Sequence, residues 1–224
     1  MNHPRTVILL GPPGSGKSTQ ASAMVREMDA VHIDIGLALR KTAELPTPLG
    51  RKVSEIMNHR MGLVPDDIVE EVLSGALVAI PGEALVVLDG VPRRLEQISL
   101  VDSILSVFGR TIGAVISMTL PEEEVLKRIG LRRFCKVCGR PIPPEGPLIT
   151  ACPSCGGELL KRKDDTEEGV RKRFSVFRSN TAPVLEYYRA KGLLYEVDGL
   201  KSPEALFEDI RRVLSSEPSR DSLV

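Results

Sequence analysis

The chain has 224 residues, 42% of them hydrophobic, with 30 basic side chains balanced by 30 acidic ones. That supplies one full core with insertions, and the cancelled charge removes any global pull toward nucleic acid or an anionic membrane. With no Trp, three Tyr and five Phe, a base-stacking surface for single strands is not expected, and no apolar run approaches the length of a membrane span.

The elements follow in order. Residues 1–5 lead straight into an apolar run, which leaves no room for a signal peptide, so a cytoplasmic protein with reduced thiols is expected. The first strand is expected over residues 6–10. Directly after it, Gly11-Pro-Pro-Gly-Ser-Gly-Lys-Ser18 fits G-x-x-x-x-G-K-[S/T]. In that context the pattern describes a strand, a glycine turn and a helix whose N-terminus faces a polyphosphate. Backbone N–H groups of Gly14, Ser15 and Gly16 would cradle the phosphates, with Thr19 beside them on the helix. Lys17 would reach the outer phosphates, and the Ser18 hydroxyl would ligate Mg²⁺.

Further strands are expected over 31–34, 85–89, 112–120 and 194–197. Helical periodicity runs over 17–28, 66–79, 95–108, 122–131, 167–190 and 203–214. Short apolar strands alternating with helices imply a doubly wound α/β fold: a five-stranded parallel sheet with helices on both faces. Ser202 before Pro203 reads as an N-cap, Asp165 with Glu168 as a capping box, and Pro183 should kink its helix. Two stretches break the rhythm. One, around Leu45-Pro-Thr-Pro48, reads as helical pieces without a strand. The other, from about residue 132 to 163, is rich in Pro, Gly and Cys. Both suit insertions at strand or helix ends, where α/β proteins place ligand-handling loops.

Within the second insertion stand Cys135-Lys-Val-Cys138 and Cys152-Pro-Ser-Cys155. Each pair is followed by glycine, which suits the tight turn that wraps thiolates around a metal. Four thiolates at this spacing favour tetrahedral Zn²⁺ in a closed structural site, with another thiolate-bound ion such as iron, or free or disulfide-paired cysteines, as the alternatives. Lys127, Arg128, Arg132, Arg133, Lys136, Arg140, Lys161, Arg162 and Lys163 surround this ribbon. Alone, a basic ribbon is as compatible with nucleic acid as with anything else. Beside a phosphate loop it reads as a lid that closes cations over a nucleotide.

From residue 5 to 214 the chain resembles adenylate kinases with a long, zinc-stapled lid. The resemblance is carried by Gly11–Ser18, Gly36 with Leu39-Arg40, Leu63-Val64-Pro65-Asp66, and Leu88-Asp89-Gly90-Val91-Pro92-Arg93. It continues through Gln97, Arg128 and Arg132, both cysteine pairs, Arg162-Lys-Asp-Asp165, Val170-Arg-Lys-Arg173, Thr181-Ala-Pro183 and Val197-Asp-Gly199. It implies reversible transfer of the terminal phosphoryl group of MgATP to a nucleoside monophosphate, AMP first among them, and a monomer. It also implies a P-loop core of residues 1–34, 65–131 and 165–214. An α-helical acceptor-binding insertion would span 35–64, a zinc-ribbon lid 132–164, and a disordered tail 215–224.

The resemblance further implies roles. Lys17, Arg93, Arg128, Arg132, Arg162, Arg173 and Asp89 are the expected catalytic set, because phosphoryl transfer needs alignment and charge neutralisation rather than covalent help. Asp89 would hold water on Mg²⁺, and Asp164 and Asp165 would orient lid arginines. ATP is expected to meet Gly14 to Thr19, Arg132, Pro141, Ile142 and Lys201. The acceptor is expected to meet Ile35, Arg40, Gly62, Leu63, Val64, Gly90, Val91, Pro92, Arg93, Gln97, Arg162 and Arg173.

The chain departs from the family around the acceptor. Ser-Thr-Gly-Asp becomes Asp34-Ile35-Gly36-Leu37, the Phe before Pro92 becomes Val91, and the lysine before Leu63 becomes Gly62. The Tyr-His pair after the first cysteine pair becomes Pro141-Ile142. These departures keep CMP, UMP or dAMP open as acceptors, and they keep open a non-catalytic nucleotide-binding protein; the basic ribbon separately keeps open a P-loop protein contacting nucleic acid through it. Gln97 pulls back toward AMP, since its amide can pair with both N1 and the exocyclic amine of adenine.

Overall fold

Five parallel strands form the centre of the chain: β1 (Arg5–Leu10), β2 (Val31–Asp34), β3 (Val86–Asp89), β4 (Thr111–Thr119) and, late in the sequence, β8 (Leu194–Asp198). In this computed structural model, residues 5–59, 64–139, 141–142, 149–162 and 165–215 are described. The strands lie in the order β2-β3-β1-β4-β8. The winding therefore turns back at β1, and the crevice beyond its carboxyl end is where such sheets hold ligands.

Period-2 alternation along the strands fills two separate cores. Ile8, Leu10, Val86, Leu88 and Val115 face one core. It is closed by α4 (Asp66–Val78), α5 (Glu96–Val107) and α8 (Ala182–Ala190), through Ile68, Leu73, Leu77, Val101, Leu105, Val184 and Tyr188. Val7, Leu9, Val87, Ile116 and Met118 face the other. There α1 (Lys17–Met28) and α9 (Pro203–Ser215) contribute Ala21, Met24, Leu206 and Ile210. A strand buried on both faces must be apolar throughout, which is why these strands read as unbroken apolar runs.

Between β2 and α4 the chain forms α2 (Ile35–Ala43) and α3 (Pro48–His59) with no strand between them, as the Pro-rich break indicates. The Asp34 side chain caps α2 by accepting from the Leu37 N–H at 2.8 Å, as Asp and Ser do equally well at an N-cap. After α6 (Glu122–Leu131) come β5 (Arg133–Cys135), β6 (Pro141–Ile142) and β7 (Leu159–Leu160). They make a small antiparallel sheet in the order β6-β5-β7. The residue pattern of the ribbon, dominated by Pro, Gly and Cys, gave no strand signal.

Two local expectations change. The helix expected over 167–190 divides into α7 (Glu167–Val176), a π-helical turn (Phe177–Thr181) and α8. Pro183 stands in the first turn of α8. Its missing N–H removes one rung of the ladder, and the wider π-turn absorbs the break instead of a simple kink. The cap of α7 is Thr166, whose hydroxyl accepts from the Gly169 N–H at 3.1 Å, not Asp165. The Ser202 cap stands: its hydroxyl accepts from the Ala205 N–H at 3.2 Å. Residues 216–224, most of the expected tail, lie outside the described residues.

Candidate active site

The loop after β1 turns through left-handed glycines, Gly14 at φ 76° and Gly16 at φ 98°, a conformation other residues adopt only under strain. Ser15 is buried, while Lys17, Ser18 and Thr19 are half-buried on the first turn of α1. Lys17 Nζ donates to the carbonyls of Gly11 (2.8 Å) and Pro12 (2.9 Å). Burial lowers its pKa to about 8, with Arg93 and Arg132 pushing the same way against Asp89 and Asp34. An ammonium drawn from water and set beside two guanidiniums is held in a state that an incoming polyanion relieves.

Ser18 Oγ donates to Asp89 Oδ2 at 2.9 Å. Asp89 ends β3 and is in register with Asp34 at the end of β2. Burial would raise the Asp89 carboxyl, yet His32, Lys17 and Ser18 together hold it below the usual carboxylate range. His32 Nε2 stands 3.8 Å from Asp89 Oδ2, too far for a hydrogen bond, so its influence is electrostatic. An ionised carboxylate beside a hydroxyl is the hard oxygen set that suits Mg²⁺.

The turns after β2 and β3 bring together Arg40 and Arg93, the two arginines expected to meet the acceptor phosphate. A Cβ added at Gly36 would meet Arg40 Nη1 at 3.4 Å, and one at Gly90 would meet Arg93 Nη2 at 3.3 Å and the Gly36 N at 3.8 Å. Both guanidiniums thus lie against one glycine pair, where a side chain would crowd them. Arg93 lies in the field of Asp89, Asp34 and Arg173. Ile35 and Val91 are buried, at 2% and 1% exposure, and belong to the core under α4 and α5, with Val64 packed against it. Pro92 is buried between Val91 and Arg93. Gln97 is buried on α5 and takes the Arg93 N–H on Oε1 at 2.7 Å. Gly62 and Leu63 lie outside the described residues.

The four remaining expected arginines, Arg128, Arg132, Arg162 and Arg173, are all engaged within the fold. Asp165 is 4% exposed and accepts from Arg132 Nη2 on Oδ1 (2.7 Å), Arg132 Nε on Oδ2 (3.2 Å) and Arg173 Nη2 on Oδ1 (2.7 Å). One carboxylate therefore holds two guanidiniums, one from each stem of the ribbon. Arg128 donates from Nε to Glu124 at 2.8 Å and from Nη1 to the Gly199 carbonyl at 2.8 Å. Gly199 in turn lies against the phosphate loop, since a Cβ there would meet the Ser15 carbonyl at 3.5 Å. Arg162 lies over the Phe134 ring, 5.8 Å from its centroid. Asp164 lies outside the described residues.

Three expected ATP contacts have partners within the protein. Ile142 is buried with Cys135 and Cys152 inside the ribbon, so its side chain packs the ribbon. Pro141 pairs with Phe134 in the same sheet. Lys201 Nζ is tied to Asp209 of α9 at 2.6 Å.

The four cysteine sulfurs lie within 4.8 Å of one another, with Cys135 Sγ 3.4 Å from Cys155 Sγ and Cys138 Sγ 3.7 Å from Cys152 Sγ. Zinc–sulfur bonds of about 2.3 Å in a tetrahedron require sulfurs roughly 3.8 Å apart, so the set fits a zinc site. The N–H groups of Cys138 and Val137 hold the Cys135 thiol down to about 6, which favours the thiolate that binds metal.

Sequence reasoning attached no role to Asp66, Arg94 or Thr181. Asp66 accepts from Gln97 Nε2 (2.8 Å) and Arg94 Nη2 (2.5 Å), and Thr181 donates to the Arg93 carbonyl (3.2 Å). Only their membership of ordered motifs marked two of them. Leu37, which stands where the family places an acid, meets the ribbon instead: a Cβ at Gly139 would lie 2.3 Å from Leu37 Cδ1.

A family model described as Adenylate kinase matches residues 9–193. The chain is 41% identical over 213 residues to an adenylate kinase of Archaeoglobus fulgidus, covering 93% of this chain and 97% of that protein. It is 37% identical over 220 residues to one of Caldanaerobacter subterraneus, covering 96% and 98%. With one of Dehalococcoides mccartyi the identity is 39% over 212 residues, covering 94% and 96%.

Proposed function

The chain belongs to the adenylate kinase family, and from that premise we propose how its own residues carry the reversible transfer of a phosphoryl group from MgATP to AMP, giving two ADP. The observation that carries this reading is the convergence of two phosphate-binding halves at the carboxyl edge of the sheet. Lys17 on its glycine loop lies on one side, and Arg40 and Arg93 on the other lie against Gly36 and Gly90.

In this reading the N–H groups of Gly14, Ser15 and Gly16, with Thr19 beside them, hold the donor phosphates. Lys17 gives up the Gly11 and Pro12 carbonyls for phosphate oxygens. Ser18 and, through water, Asp89 would hold the Mg²⁺ that adenylate kinases use with ATP; bound there, it would neutralise charge on the terminal phosphates. Arg40 and Arg93 grip the acceptor phosphate, and Ile35, Val64, Val91 and Pro92 wall its nucleoside. Gln97 reads the base.

Arg128, Arg132, Arg162 and Arg173 close on the transferred group, where planar guanidiniums bind spread phosphate charge bidentately. Asp165 pre-sets Arg132 and Arg173 before substrate arrives, so little reorganisation remains to be done. No side-chain base is required, because the attacking group is already a phosphate oxygen. Residues 35–64 and 132–164 close over the two nucleotides and exclude water that would otherwise hydrolyse ATP. The four cysteines would hold Zn²⁺ in a closed site that shapes the lid and takes no part in the chemistry.

Purified protein incubated with MgATP and, separately, AMP, CMP, UMP or GMP tests this assignment. ADP formation from AMP is expected to exceed that from every other acceptor, and Lys17→Ala is expected to abolish it. Full turnover by Lys17→Ala, or by Arg93→Ala, would refute the proposed division of roles.

A further inference from the structure

Gln97 is 3% exposed, and its amide sits between two neighbours of opposite and unambiguous chemistry. The backbone N–H of Arg93 can only donate, and it donates to Oε1 at 2.7 Å. The Asp66 carboxylate can only accept, and it accepts from Nε2 at 2.8 Å. A glutamine amide is otherwise free to present either end, since its oxygen and nitrogen differ little in shape. Here a flipped amide would set N–H against N–H at Arg93 and oxygen against oxygen at Asp66. The Asp66 oxygen is itself held by Arg94 Nη2 at 2.5 Å. After these bonds the amide retains one N–H on its nitrogen side and one lone pair on its oxygen side.

We propose that Asp66, steadied by Arg94, is a specificity-determining positioning residue that locks the Gln97 amide in the orientation that reads adenine. The spare N–H meets an acceptor at N1, and the spare lone pair meets the 6-amino group. A 6-oxopurine presents the reverse, a hydrogen on N1 and a carbonyl at position 6, and it meets like against like on both sites. The inference rests on the reading above that Gln97 contacts the acceptor base. It adds that the discrimination resides in a carboxylate that never touches the nucleotide. The same amide pins the Arg93 backbone, whose carbonyl takes the Thr181 hydroxyl at 3.2 Å. Base reading and phosphate gripping therefore share one rigid corner.

AMP and IMP test the lock, because they differ only at N1 and position 6. Steady-state kinetics with MgATP would compare the native protein with Asp66→Ala, Asp66→Ser, Asp66→Asn and Gln97→Ala. The alanine and serine variants are expected to lower the AMP-over-IMP ratio of kcat/KM by about tenfold or more. The change should come from a higher KM for AMP and a lower one for IMP, with kcat on AMP within about threefold of native. Serine keeps a small polar group that both donates and accepts, so it gives the readout even where alanine fails to fold. Asp66→Asn should keep most of the discrimination, because Arg94 turns the Asn oxygen toward the amide. A native ratio in both the alanine and serine variants, with Gln97→Ala lowering it, would overturn the lock while leaving the Gln97 contact intact. A native ratio in Gln97→Ala would overturn the base contact itself and the lock with it. An equal loss of kcat on both acceptors in the Asp66 variants would mark Asp66 as merely structural and also overturn the proposal.

Discussion

Asp165→Asn probes the junction between ribbon and core. The carboxylate side chain is 1% exposed, and its partners Arg132 and Arg173 are 18% and 28% exposed. Both guanidiniums donate to Oδ1 at 2.7 Å. The substitution keeps the shape, removes the shared charge, and turns an amide donor toward one of the two cations. Breaking a buried ion pair costs about 3–5 kcal/mol. Water reaches both arginines in part, so the lower end, about 3 kcal/mol, is the expected loss. For a chain of this length each kcal/mol moves Tm by about 2–4 °C, which gives a fall of roughly 6–12 °C. Turnover should also drop by about one to two orders of magnitude, because Arg132 and Arg173 lose the carboxylate that sets their geometry. Differential scanning calorimetry and a coupled ADP assay read the two effects. Asp67→Asn, which breaks the exposed Lys52–Asp67 pair at 2.7 Å, serves as the comparison and should leave the melting curve unchanged. A Tm within about 2 °C of native for Asp165→Asn, with undiminished turnover, would refute the reasoning.

Two further outcomes are expected. With the Lys17 amine held near a pKa of about 8, its charged fraction falls as pH rises through that value, so KM for ATP should climb above pH 8; bound phosphates raise the amine's pKa, so calorimetry in buffers of different ionisation enthalpy should show proton uptake on ATP binding near pH 8, and none at any pH would contradict it. Metal analysis of the purified protein should find one zinc per chain, and chelation should lower Tm through the ribbon while the sheet's far-UV signal persists; an unchanged melting curve after confirmed zinc loss would sink the structural role.

The sequence by itself determined whatever is written in short-range spacing. The glycine loop at 11–18, the paired cysteines and the apolar strand runs each span a few residues, and their chemistry follows from residue type and interval. Alternation of those runs with helical periodicity was enough for a parallel, doubly wound sheet, because parallel strands need long crossover connections and a helix is the usual one. Tertiary structure alone decided which polar groups meet. Arg132 and Asp165 are 33 residues apart, Gln97 and Asp66 31, and Thr181 and Arg93 88, and no local pattern encodes such pairings. The π-turn before α8 belongs to the same class. Pro183 announced a disturbance, but its form, and the delivery of Thr181 to Arg93, depended on packing. Asp165 shows both sides: the resemblance already implied that it orients lid arginines and its sequence neighbours marked it as a helix cap, but only the fold identifies its partners as Arg132 and Arg173, because a carboxylate removed from water goes to the strongest donors within reach.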